Sequence, residues 1–100
     1  MKIDRDAPLR MTIETFADRH GLVMQISERS QRLVDELALR PFYAHFKNTH
    51  IAERGFLRGT SGDGWTEGEA IADYRRAISG RRLKHNAGYY LDVPELLPSP

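Results

Sequence analysis

Four histidines, His20, His45, His50 and His85, are the first residues here whose type suits metal or proton chemistry. A protein-held metal needs about three or four imidazole, thiolate or carboxylate ligands converging on one point. No two of these histidines have His-x-His or His-Glu-x-x-His spacing, which would place both on one face of a strand or helix. His45 and His50 are near enough in sequence to approach each other. The chain has no cysteine, which excludes thiolate metal sites, thiol catalysis and disulfides. The expectation is scattered surface histidines, with no metal and no cofactor.

The run Gly59-Thr60-Ser61-Gly62-Asp63-Gly64 precedes a helical pattern, where phosphate loops occur. It lacks the Gly-Lys-Ser/Thr ending. Asp63, and then Glu67 and Glu69, would repel phosphate where a helix dipole attracts it. Ser61 does not sit in a Gly-x-Ser-x-Gly elbow. The run reads as a hairpin-to-helix turn. The carboxylate pairs Glu67/Glu69 and Asp35/Glu36 read as helix caps or solvated surface, not as a general acid and base. No constellation supports nucleophilic, acid–base or metal chemistry, so the expected class is a protein that is not an enzyme.

Residues suited to binding are easier to find. Arg75, Arg76, Arg81, Arg82, Lys84 and His85 form the densest basic cluster. It serves either as a solvated helix end complementing the dipole or as a patch for phosphate or an acidic protein surface. Trp65 reads as a staple packed on the following helix or, if exposed, as an interface anchor. Tyr43, His45 and Lys47 occupy the wet face of an alternating segment, and Tyr89 or Tyr90 would extend such a surface. The candidate binding residues are therefore Tyr43, His45, Lys47, Trp65, Arg75, Arg76, Arg81, Arg82 and Lys84.

The elements that must position these side chains follow from periodicity. Thr12 is an N-cap for a short helix with Ile13, Phe16 and Ala17 on one face, stopped by Gly21. Leu22, Met24 and Ile26 alternate as a strand. Glu28–Arg40 reads as a long connection with one or two helical turns, Ser30 capping Leu33, Val34, Leu37 and Ala38, and Pro41 closing it. Phe42, Ala44 and Phe46 form the clearest strand. A turn falls near Ala52–Gly55, and Phe56–Thr60 returns as a hairpin strand. Thr66 to Glu69 fits a capping box, followed by the stripe Ala70, Ile71, Tyr74, Ala77 and Ile78, with Gly80 ending the helix. Leu83 to Val93 suggests a last strand interrupted at Asn86-Ala87-Gly88.

The 100 residues suit one domain. The expected fold is a two-layer α+β domain. A three- or four-stranded antiparallel sheet would carry two helices on one face. Residues 1–11 read as a flexible tail, with Met11 a possible native start, residues 12–93 as the domain, and residues 94–100 as a Pro-rich tail. Fifteen basic and 14 acidic side chains leave a formal net charge of +1, so no global field selects nucleic acid. No apolar run approaches the roughly 20 residues of a membrane helix. The missing cysteines and the polar N-terminus point to the cytoplasm and away from membranes.

Two resemblances emerge from these segments. Thr15 to Leu22 and Thr66 to Ile78 resemble the two helices of the double-stranded-RNA-binding domain, an α-β-β-β-α layout. That family opens its second helix with lysines. Here those positions read Thr66-Glu67-Gly68-Glu69-Ala70, and Glu28–Arg40 replaces its Gly-Pro-x-His loop, so no RNA contacts carry over. Phe16–Leu22, Phe42–Phe46, Gly62–Tyr74 and Ile78–Leu83 resemble small accessory proteins of temperate phages and prophages. That resemblance implies a non-enzymatic protein that binds a host protein complex, including defence complexes of the CRISPR type. Gly62 to Ala70 is also similar to a helix start in HicB-type antitoxins. The expected function is stoichiometric protein binding as a monomer or homodimer. The alternatives are nucleic-acid binding, to double-stranded RNA or DNA, through the basic end of the second helix, and a HicB-like antitoxin module.

Overall fold

The computed structural model describes residues 10–99. It is an α+β fold with three helices and antiparallel sheets. Met11–Thr12 (β1) leads into the helix Ile13–His20 (α1). Thr12 caps α1, its hydroxyl accepting from the Thr15 amide at 3.3 Å. Gly21 ends it at φ 64°, in the left-handed conformation expected of a glycine stop. The strand Met24–Glu28 (β2) follows, then the helix Gln31–Leu37 (α2), capped by Ser30 as the sequence suggests. No residue of α2 is buried, and Leu37 is 60% exposed, so its apolar spacing does not serve the core.

The remaining strands are Phe42–Phe46 (β3), Thr49–Glu53 (β4), Phe56–Arg58 (β5) and Gly62–Gly64 (β6). After the helix Glu67–Ile78 (α3) come Arg82–His85 (β7), Tyr90–Asp92 (β8) and Leu96–Leu97 (β9). The expected single sheet is in fact two antiparallel ones. One has the order β2-β3-β6 and the other β5-β4-β7-β8, and β1 pairs in parallel with β9. The division falls at Asn48, whose φ of 62° breaks the extended chain between β3 and β4. The hairpin partner of Phe56–Arg58 is therefore Thr49–Glu53, which the sequence reading missed, and not the Phe42 segment. The interruption at Asn86–Gly88 is likewise a hairpin turn joining two separate strands.

Ser61-Gly62-Asp63-Gly64 is also corrected. Gly62 and Gly64 pair with Ala44 and Phe42 as a buried strand. They are glycines because α3 lies directly on them. A Cβ on Gly62 would overlap the Tyr74 amide nitrogen and the Ala70 carbonyl oxygen. Above them α3 buries Ala70, Tyr74 and Ile78, the stripe read from the sequence. Phe46 meets Tyr74 edge-on at 5.4 Å, and Phe16 stands 6.3 Å from Phe46. Ile51, Leu83, Val93 and Leu96 complete the core. Thr66 caps α3, accepting from the Glu69 amide at 3.1 Å, while the Glu69 carboxylate accepts from the Trp65 amide. Thr66→Ala should cost about 1 kcal/mol in chemical denaturation, as N-cap losses do.

Met11 and Leu96, which the sequence reading places in the two tails, join the core cluster. Met11 is 7% exposed and Leu96 only 2%. The Leu96 carbonyl accepts from Arg75, its amide donates to the Ser79 hydroxyl, and Ser99 donates to Glu14. The segment from Pro94 to Ser99 is therefore strapped across the helices. Residues 1–9, most of the expected N-terminal tail, lie outside the described residues. No helix among the described residues is long and apolar enough to cross a membrane.

Candidate functional site

Strand alternation sends successive side chains to opposite faces. In β3, Ala44 and Phe46 turn into the core under α3, so Tyr43 and His45 face outward. In the four-stranded sheet Ile51 and Leu83 are buried, which turns His50, Ala52, Arg82 and Lys84 outward. Register then builds two outer rows. His50 stands opposite Lys84, and Lys84 opposite Tyr90. Leu57, Ala52, Arg82 and Asp92 form the next row.

Two shallow concavities mark this face. One, of about 490 Å³, is lined by Tyr43, His45, Thr49, His50 and the connection Gly59–Ser61. The other, of about 430 Å³, is lined by Ala52, Arg54, Phe56, Leu57, Arg82, Lys84 and Tyr90. They adjoin at the His50/Lys84 pair, so the face runs from Tyr43 to the β4–β5 hairpin.

Its chemistry is aromatic and cationic, with most charges already matched. Arg29 is well shielded. Its guanidinium lies 4.6 Å from the Tyr43 ring centre, pairs with Asp63 at 2.7 Å and donates to the Arg40 carbonyl. That holds Tyr43 in place. Lys84 Nζ lies 5.5 Å from the Tyr90 ring centre and has no carboxylate partner among the described residues. Arg82 pairs with Asp92 at 2.8 Å, and that hydrogen bond pushes the guanidinium further above its ordinary range. The His45 Nδ1 lies 3.1 Å from the Phe46 carbonyl oxygen, a contact that suits a proton on that nitrogen.

The residues singled out from sequence divide among separate surfaces. Tyr43, His45, Arg82 and Lys84 share the outer face. Lys47 is exposed just past the end of β3. Trp65 follows β6 at the other end of that sheet and is 62% exposed, so it is no buried staple. Arg75 and Arg76 lie on α3, on the opposite side of the small sheet, where Arg76 pairs with Asp73. Arg81 neighbours Arg82 in sequence but pairs with Glu53 at 3.0 Å. His85 stacks on Tyr89, the ring centres 4.7 Å apart. The basic cluster is thus dispersed, and its four arginines each have a partner within the chain. Sequence reasoning missed Arg29 and Leu57 as members of the face. The signals were the alternation of Thr49–Glu53 and the hairpin turn at Arg54-Gly55.

Among the described residues no group of three or more metal-ligating side chains converges. No protein-family model, curated protein or solved structure matches the chain. The geometry of this face therefore carries the functional argument.

Proposed function

We propose that this chain is a non-enzymatic binding protein that docks a protein partner on the outer face of its two sheets. The observation that carries the reading is the combination on that face of exposed anchors with internally matched charge. Tyr90 and Leu57 are 54% and 53% exposed there, while Arg82 is paired with Asp92. Aromatic side chains of this kind dominate protein interfaces, and matched rim charges add selectivity more than affinity. Lys84, which has no carboxylate partner among the described residues, favours a partner with acidic groups beside an apolar patch.

The narrower reading, a phage-type accessory protein acting on a host defence complex, is supported by the resemblance at Phe16–Leu22, Phe42–Phe46, Gly62–Tyr74 and Ile78–Leu83. The HicB-like reading draws on Gly62 to Ala70, where close packing already accounts for both strand glycines. A double-stranded-RNA reading would use the start of α3, where Glu67 and Glu69 stand in the first turn.

Titration with single- and double-stranded RNA and DNA tests the proposal against its nucleic-acid alternative. The expected result at low salt is no saturable binding. Saturable binding that falls log-linearly with salt, and is lost in Arg81→Glu/Arg82→Glu, would overturn the protein-docking reading.

A further inference from the structure

β5 is an edge strand whose geometry suits a second copy of this chain. The turn Arg54-Gly55 joins Glu53 to Phe56 with both turn residues at positive φ, 50° and 82°. This is the two-residue type I′ hairpin, in which the flanking pair exchanges both backbone hydrogen bonds. Antiparallel pairs then alternate between bonded and non-bonded. Phe56 and Arg58 therefore direct their backbone groups toward β4. The N–H and C=O of Leu57 point the other way, to an edge that no strand among the described residues occupies. Such an edge is a template for another strand.

We propose that this edge pairs antiparallel with the same edge of a second copy, about a two-fold axis through Leu57. The edge is self-complementary in that register. Leu57 N–H donates to the second copy's Leu57 carbonyl, and the reverse bond forms by symmetry. Phe56 then stands opposite the second copy's Arg58 in a non-hydrogen-bonded pair, where side chains approach most closely. A guanidinium meets an aromatic ring twice, a favourable cation–π pairing. Gly55 and Gly59 flank the strand, and nothing lies within 4 Å of a Cβ position at either, so another backbone has room to approach. Phe56 is 76% exposed, the highest value among the exposed large apolar residues, and this pairing covers it. The axis stands perpendicular to the sheet, so the two outer faces lie on the same side. The dimer then presents the face described above in two adjoining copies.

Sedimentation velocity on the full chain over a concentration series tests this, with circular dichroism confirming that each variant is folded. The wild type is expected to show a reversible monomer–dimer equilibrium. Phe56→Arg sets like charges opposite each other at both symmetric contacts and should raise the dissociation constant by about tenfold or more. Phe56→Arg/Arg58→Glu restores opposite charges across the axis, sets the new guanidinium opposite Glu53 within the hairpin, and should recover the dimer. A wild type that is monomeric at every concentration overturns the proposal. So does a dimer indifferent to Phe56→Arg, or one weakened by it that the double variant does not restore.

Discussion

Replacing Gly62 by alanine adds a single methyl group and is expected to remove about 3 kcal/mol or more of stability. The new Cβ would overlap main-chain atoms of Ala70 and Tyr74, which belong to a regular helix with no rotamer to change. Relief requires lifting α3 from β6. That would open the contact that buries Ala70 and Tyr74, both 1% exposed or less. Gly64 is held in the same way, its Cβ position 2.6 Å from the Glu69 Cβ. Gly59 is the control. Nothing lies within 4 Å of its Cβ position, so Gly59→Ala should stay within about 0.5 kcal/mol of the wild type. Urea unfolding of the three proteins decides the matter. Equal midpoints for Gly62→Ala and Gly59→Ala would mean that α3 does not lie against β6 as described.

Leu96→Ala should cost about 2–5 kcal/mol, the range for emptying a well-packed leucine site. Leu96 is 2% exposed and belongs to the same core cluster as Met11, Ile78 and Val93. Its backbone holds the strap through Arg75 and Ser79. A change within about 0.5 kcal/mol would return Pro94–Ser99 to the status of a loose tail. The acid limb of the stability curve gives a second readout. The hydrogen bond from Ser99 holds the Glu14 carboxyl below its ordinary value of 4.5. A carboxyl lowered in the folded state adds stability above its unfolded value and loses it as pH falls through the folded one. Ser99→Ala should therefore lower stability near neutral pH and match the wild type in strong acid. The effect is small, because Glu14 is largely solvated.

Legibility from sequence followed the range of the forces involved. Thr12 with Gly21, Ser30, and Thr66 with Glu69 act over three or four residues or up to one helix length, and the caps and stops they predict are present. The alternation of Phe42–Phe46 and the stripe of α3 were readable because each buries one face. Gly62–Gly64 was not, because the cause of those glycines is a helix that begins several residues later. Leu96 looked like part of a tail because its partners, Arg75 and Ser79, stand 21 and 17 residues upstream. The same limit applied to the candidate face. Tyr43, His45, Arg82 and Lys84 were legible one strand at a time. Sequence could not show that Arg81 and Arg82 would find different carboxylates, or that Arg29 would reach Tyr43.

The central claim is that the outer sheet face docks a protein partner. Its most direct test is capture from a bacterial lysate, with and without nuclease, comparing the wild type with Lys84→Glu/Tyr90→Ser. Both positions are solvent-facing, so the variant should fold as the wild type does. The account predicts a defined protein partner, retained by the wild type after nuclease treatment and lost by the variant. Capture that vanishes with nuclease, or that the variant retains in full, would contradict it.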